Sequence, residues 1–204
     1  MVIRRIICFS LQTQYFIYFF SVFTTVLRCL EPQITPAVSP VLSPNFLVDA
    51  LGKMIAGAAK ILQHHWEEAL IDALNQVCLV LIPYCQSISD LQNHFCHVVD
   101  IQQNLVEHYG FTTVLSYLTL LTHMLKQIGS SLPVEFIQKI LEIDSPLRKL
   151  RVSPHQSVWK ATLGVYHAVL ALKNVPLLQE AYNYILADIQ MPAIVRPAMT
   201  SWDI

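Results

Sequence analysis

Three groups of side chains in this 204-residue sequence are of types that could do chemistry. His64-His65-Trp66-Glu67-Glu68 sets two imidazoles beside two carboxylates, the ingredients of a zinc-binding helix. Zinc ligation from a helix needs histidines four residues apart on one face, whereas adjacent residues point about 100° apart. A solvated helix start is the ordinary reading. Cys85, His94, Cys96 and His97 also offer ligand types, and His94 and His97 share a helix face. Their gaps match no structural zinc pattern, and no third ligand or carboxylate completes a site. They read as a half-buried polar pair. His123 and His167 lie in apolar runs and read as core or groove residues.

The third group is Ser145-Pro146-Leu147-Arg148-Lys149-Leu150-Arg151-Val152-Ser153-Pro154. Ser145 and Ser153 each precede a proline, the pattern that proline-directed kinases accept, and Arg148, Lys149 and Arg151 could pair with an added phosphate or dock an acidic partner. The alternative is an exposed basic turn between helices. Other chemistry is missing from the sequence. The five glycines form no phosphate loop, and no Gly-x-Ser-x-Gly, His-Arg-Asp or Asp-Phe-Gly element occurs. No catalytic residue, cofactor or metal is therefore expected, and a small helical enzyme using His94, His97 or Glu68 is the competing view.

Composition narrows the classes further. The chain is 54% hydrophobic and 13% charged, which excludes disorder and indicates helices with few solvated faces. Its 13 basic and 14 acidic residues argue against direct nucleic-acid binding, which needs clustered positive charge. Cys8, Cys29, Cys78, Cys85 and Cys96 are odd in number and irregularly spaced, so they read as reduced and packed rather than bridged.

The elements that must position these residues fall into four segments. Residues 1–30 form an aromatic hydrophobic leader in which 6–27 carry no charge and Arg4, Arg5 and Arg28 flank them. The run is long enough to span a bilayer, but Ser10, Gln12, Thr13, Gln14, Ser21, Thr24 and Thr25 interrupt it. A membrane anchor through 6–27, a signal peptide and a buried helix are the three readings. Residues 31–44 form a linker with Pro32, Pro36, Pro40 and Pro44. Residues 45–190 read as helices over 45–61, 64–81, 89–107, 111–128, 133–142, 154–172 and 176–189, and 191–204 are an irregular tail. Ser43, Ser89 with Gln92, and Ser153 with Gln156 have the spacing of N-terminal caps, Pro44 and Pro133 suit first turns, and Gly129 suits a helix stop.

The spacing of the helix starts organises them. Alternate helices open near Asn45, Ser89, Pro133 and Pro176, a recurrence of about 44 residues that falls within the range of HEAT and armadillo repeats. The expected fold is all-α, an α-solenoid fragment of HEAT-like helical hairpins; a single closed bundle is the alternative. Each hairpin would seal its apolar face only against the next, and Trp66, Trp159 and Tyr166 would anchor a protein partner in the groove between them.

Trp66-Glu-Glu-Ala-Leu-Ile-Asp-Ala-Leu-Asn75, Asp90-Leu-Gln-Asn-His-Phe-Cys-His-Val-Val-Asp100, Val134-Glu-Phe-Ile-Gln-Lys-Ile-Leu141 and the Ser145 to Pro154 segment carry an overall likeness. They resemble the N-terminal helical-repeat region of the phosphatidylinositol 3-kinase-related serine/threonine kinase of nonsense-mediated mRNA decay. The resemblance covers about Leu42 to Ile189. It implies scaffold without the catalytic domain, protein partners among mRNA decay factors, and a cytoplasmic or nuclear location. The leader and the tail depart from such repeats and suggest a truncated or rearranged relative. The rival is a single-pass membrane-anchored small helical protein.

Overall fold

A computed structural model of the chain describes residues 13–25, 44–64, 67–83, 89–142, 145–151 and 153–174, with the single positions 179 and 183. The rest of the leader, most of the proline linker, Trp66, Cys85, all but these two positions of the expected helix over 176–189, and the tail lie outside the described residues. Among the described residues every regular element is helical and none is a strand. The fold is all-α. The chain divides into two compact units, Met1–Gln102 and Gln103–Ile204.

The first unit holds α1 (13–25), α2 (Pro44–His64), α3 (Glu68–Leu81) and nearly all of α4 (Ser89–Gln103). Helix α2 runs three residues past its expected end, and the break falls at Glu67, whose extended backbone caps α3. Glu68 in the first turn of α3 favours that start, because a carboxylate complements the positive end of the helix dipole. Gly52 and Gly57 do not break α2; they mark where neighbours come close. A Cβ on Gly52 would lie 2.2 Å from Nε2 of His94 on α4, and one on Gly57 would lie 3.1 Å from Cζ of Phe16 on α1.

Helix α3 buries Leu70, Ile71, Leu74, Asn75, Val77, Cys78 and Leu81. Asn75 is fully buried, whereas Ala69 is exposed. The cause is a reciprocal pair of side-chain hydrogen bonds with Gln102 of α4. Asn75 Nδ2 donates to Gln102 Oε1 at 3.2 Å and Gln102 Nε2 donates to Asn75 Oδ1 at 2.7 Å. Paired in this way, two amides enter the core with their carbonyl oxygens and one N–H of each satisfied.

The second unit contains α5 (Phe111–Ile128), α6 (Val134–Leu141), α7 (Pro146–Leu150) and α8 (Gln156–Ala171), preceded by a short 3₁₀ turn over Val106–His108. Helix α4 stops at Gln103 instead of continuing to Glu107, and the turn that follows brings Val106 and Tyr109 inside. Helix α5 has the expected bounds, with Gly110 in extended backbone ahead of it. It buries Thr113, Val114, Tyr117, Leu118, Leu120, Leu121, Met124, Leu125 and Ile128, more than one stripe can hold. Gly129 is not a left-handed stop: its φ of −56° is right-handed and the chain continues as a 3₁₀ turn over Gly129–Ser131. What this position requires is the lack of a side chain, since a Cβ would come 2.6 Å from Cδ2 of Leu172.

Helix α8 lies along α5 in the most extensive helix pair described. Its buried side is Val158, Thr162, Val165, Tyr166, Ala168 and Val169, and Trp159 and Leu163 are only half-buried. Its cap is His155, not Ser153; the Ser153 hydroxyl instead accepts the His155 N–H at 3.2 Å, a local turn ahead of the helix. The helix starts keep their period, with Pro44, Ser89 and Val134 opening alternate helices about 45 residues apart. Contact between alternate helices, α2 with α4 and α5 with α8, is compatible with stacked hairpins, with α7 inserted in the α6–α8 connection.

Two outcomes follow. Asn75→Ala strands the Gln102 amide and lowers stability by about 1–3 kcal/mol, whereas Asn75→Leu with Gln102→Leu stays within about 1 kcal/mol of the parent; thermal melts of the three chains measure both. Gly164 of α8 has room for a Cβ, which would meet only Thr122 Oγ1 at 3.9 Å. Gly164→Ala therefore raises stability by about 0.5–1 kcal/mol through helix propensity, and a lowered midpoint in the same melts would contradict it.

Candidate functional site

The concave feature that gathers sequence-predicted residues lies in the second unit, an open groove of about 390 Å³. Val106, Glu107 and Tyr109 form one wall, Phe111 and Val114 of α5 the floor, and Pro146, Lys149, Leu150, Ser153, His155 and Val158 of α7 and α8 the other wall. Each wall follows from local sequence. Gly110 lets the chain turn from the 3₁₀ segment into α5, which brings the exposed Phe111 ring to the groove. Pro146 at the first position of α7 starts a short helix whose Lys149 faces back across it.

Lys149 Nζ donates to Glu107 Oε1, closing one rim with an ion pair between two exposed side chains. This hydrogen bond, then the ammonium charge, hold the Glu107 carboxyl below its usual range. Phe111 and His155 close the other side, with ring centroids 5.1 Å apart and planes at 56°. The groove thus has an apolar floor, one neutralised charge pair and two rings. Such a lining offers an apolar surface bordered by polar groups.

The expected basic site is redistributed. Of the trio, Lys149 reaches the groove, Arg148 is half-buried and Arg151 is buried, because the segment is helix α7 and not an exposed turn. Ser145 is buried as the N-cap of α7, its hydroxyl accepting the Leu147 N–H at 3.4 Å, so a kinase reaches it only where the start of α7 opens. Ser153 is half-buried in the groove wall. Of the expected partner anchors, Tyr166 is core and Trp159 half-buried. Sequence reasoning missed Glu107, Tyr109, Phe111 and His155; the signal was their position on either side of Gly110 and just ahead of α8.

The remaining candidates do not converge. His94 packs against Gly52 and His97 is exposed. His123 and His167, expected in core or groove, are both exposed. Among the described residues no three His, Cys, Asp or Glu side chains are grouped to hold a metal. The half-buried Cys96 thiol is pushed up to about 12, first by burial and then by Asp100. Such a thiol is a poor nucleophile. No described helix is long and apolar enough to cross a membrane.

No family profile matches the chain. Over 168 residues, 82% of its length, it is 33% identical to serine/threonine-protein kinase SMG1 of Danio rerio. The chain is related to a stretch of SMG1. That stretch is 5% of the zebrafish protein, so the chain spans a small part of its relative. The resemblance read from the quoted segments is borne out. Among the described residues the regular elements are all helical, and neither His-Arg-Asp nor Asp-Phe-Gly occurs in the 204 residues.

The ion pair at the rim predicts a pH response. A carboxyl lowered in the folded state contributes stability above its unfolded pKa and loses it as pH falls through the folded value. Lys149→Met returns the Glu107 carboxyl to the ordinary range, and side-chain NMR titration reads the upward move. A Glu107 titration unchanged in Lys149→Met would mean that the pair does not persist in solution.

Proposed function

We propose that the chain is a non-catalytic helical-repeat segment that binds protein, a scaffold piece of the SMG1 kind operating among factors of nonsense-mediated mRNA decay, in the cytoplasm or nucleus. The observation that carries this reading is the 33% identity to SMG1 over 82% of the chain. It is supported by helices that meet in alternation within each unit, the contact pattern by which repeat proteins build extended binding surfaces. The groove between the Val106 turn, α5 and α7 is the place where a partner would dock. Phe111 supplies an exposed ring and Leu150 a half-buried apolar contact. Burial of one such aromatic can dominate a small interface.

The test uses the full chain, tagged, with identification of the proteins that co-purify. Decay factors are expected to be enriched, and Phe111→Glu with Leu150→Glu is expected to reduce their recovery at least about tenfold, as for loss of an interface hot spot, while far-UV circular dichroism stays helical. Recovery of chaperones alone, or of decay factors unaffected by the double substitution, would count against the scaffold reading and the groove respectively.

A further inference from the structure

Helix α1 has two unlike faces. Thr13, Phe20 and Thr24 are buried and Phe16 rests on Gly57 of α2, so one side is packed within the first unit. On the other side Tyr15, Tyr18, Phe19 and Val22 are 69%, 72%, 38% and 44% exposed. These positions follow the three-and-four spacing of a helix face, so they form one continuous outward stripe. Exposed Gln14, Ser21 and Thr25 border the stripe, and the Thr25 hydroxyl donates to the Ser21 carbonyl at 2.9 Å.

We propose that this stripe lies in the surface of an anionic membrane, with α1 parallel to the bilayer and its opposite face kept against the protein. Charge supports a lipid occupant. The first thirty residues contain Arg4, Arg5 and Arg28 and no aspartate or glutamate, so the N-terminal flank of the stripe is cationic and Arg28 follows it, ahead of Glu31. Aromatic and aliphatic side chains bordered by basic residues are the composition of helices that rest at the headgroup level. Tyrosine in particular favours that level, where its ring is apolar and its hydroxyl stays wet. A second copy of the chain fits less well. The exposed parts of the four side chains amount to roughly 500 Å², short of the about 800 Å² per partner of a standard interface. A spanning role would require the packed face of α1 to leave α2.

The full chain is mixed with phosphatidylcholine vesicles, with and without phosphatidylserine, and floated on a density gradient. Flotation with the serine-containing vesicles, and release from them by alkaline carbonate, are expected. Replacing Tyr15, Tyr18 and Phe19 together by Ser weakens partitioning at least roughly tenfold, and Arg4→Gln with Arg5→Gln and Arg28→Gln removes the preference for phosphatidylserine. Tyr18→Trp gives an independent reading, a blue shift and gain of fluorescence on vesicles. No flotation of the parent chain, flotation unchanged by the serine substitutions, or retention after carbonate would each overturn the proposal. So would dimerisation in sedimentation that depends on the stripe without any vesicle binding.

Discussion

Helix α5 has large apolar side chains around most of its circumference, and no single neighbour can cover them. Tyr117, Leu118, Leu120 and Leu121 are all fully buried although they point in different directions around the axis. Burying one such side chain is worth about 1.5–3 kcal/mol relative to leaving it in water, so an isolated hairpin would leave several of these contributions unrealised. The chain meets this demand by bringing α8 alongside α5 from beyond α6 and α7. Val158, Thr162, Val165, Tyr166, Ala168 and Val169 are the side chains that α8 buries there. Contact of this kind, between helices separated in the chain, is compatible with the packing of helical-repeat proteins.

Apolar contacts of this sort fix distance better than register, and the first unit supplies register separately. The Asn75–Gln102 amide pair is directional and fully buried, and a slip of α3 against α4 would break both bonds at once and leave polar groups in the core. The imidazole of His94 over Gly52 does the same sterically for α2 and α4. The two devices differ in what they tolerate: the amide pair can be replaced by matched apolar side chains, whereas the glycine accepts a side chain only if the imidazole moves.

Much of the fold was legible in the sequence where a local signal stood alone. Helix α5 kept its bounds because glycines bracket an uninterrupted apolar period, and the spacing of about 45 residues between alternate starts survived the shifts of single ends. Errors came where the partner was distant. Nothing local marks Asn75 for burial, because its hydrogen-bond partner is 27 residues away. The side of α8 that is buried is set by its packing on α5, a helix distant in sequence, which no local pattern displays. The candidate site was legible in Lys149, one residue of the basic trio, and in Ser153. A five-residue helix starting at Pro146 turns Arg148, Lys149 and Arg151 in different directions, and no periodicity is detectable over so short a run.

That rotation within α7 has a further consequence for how anything would meet the groove. With Arg151 inside, Arg148 half-covered and Lys149 already engaged by Glu107, little uncompensated positive field extends outward from this wall. Capture there depends on close fit after collision rather than on attraction from afar, so the speed of encounter should be nearly indifferent to ionic strength.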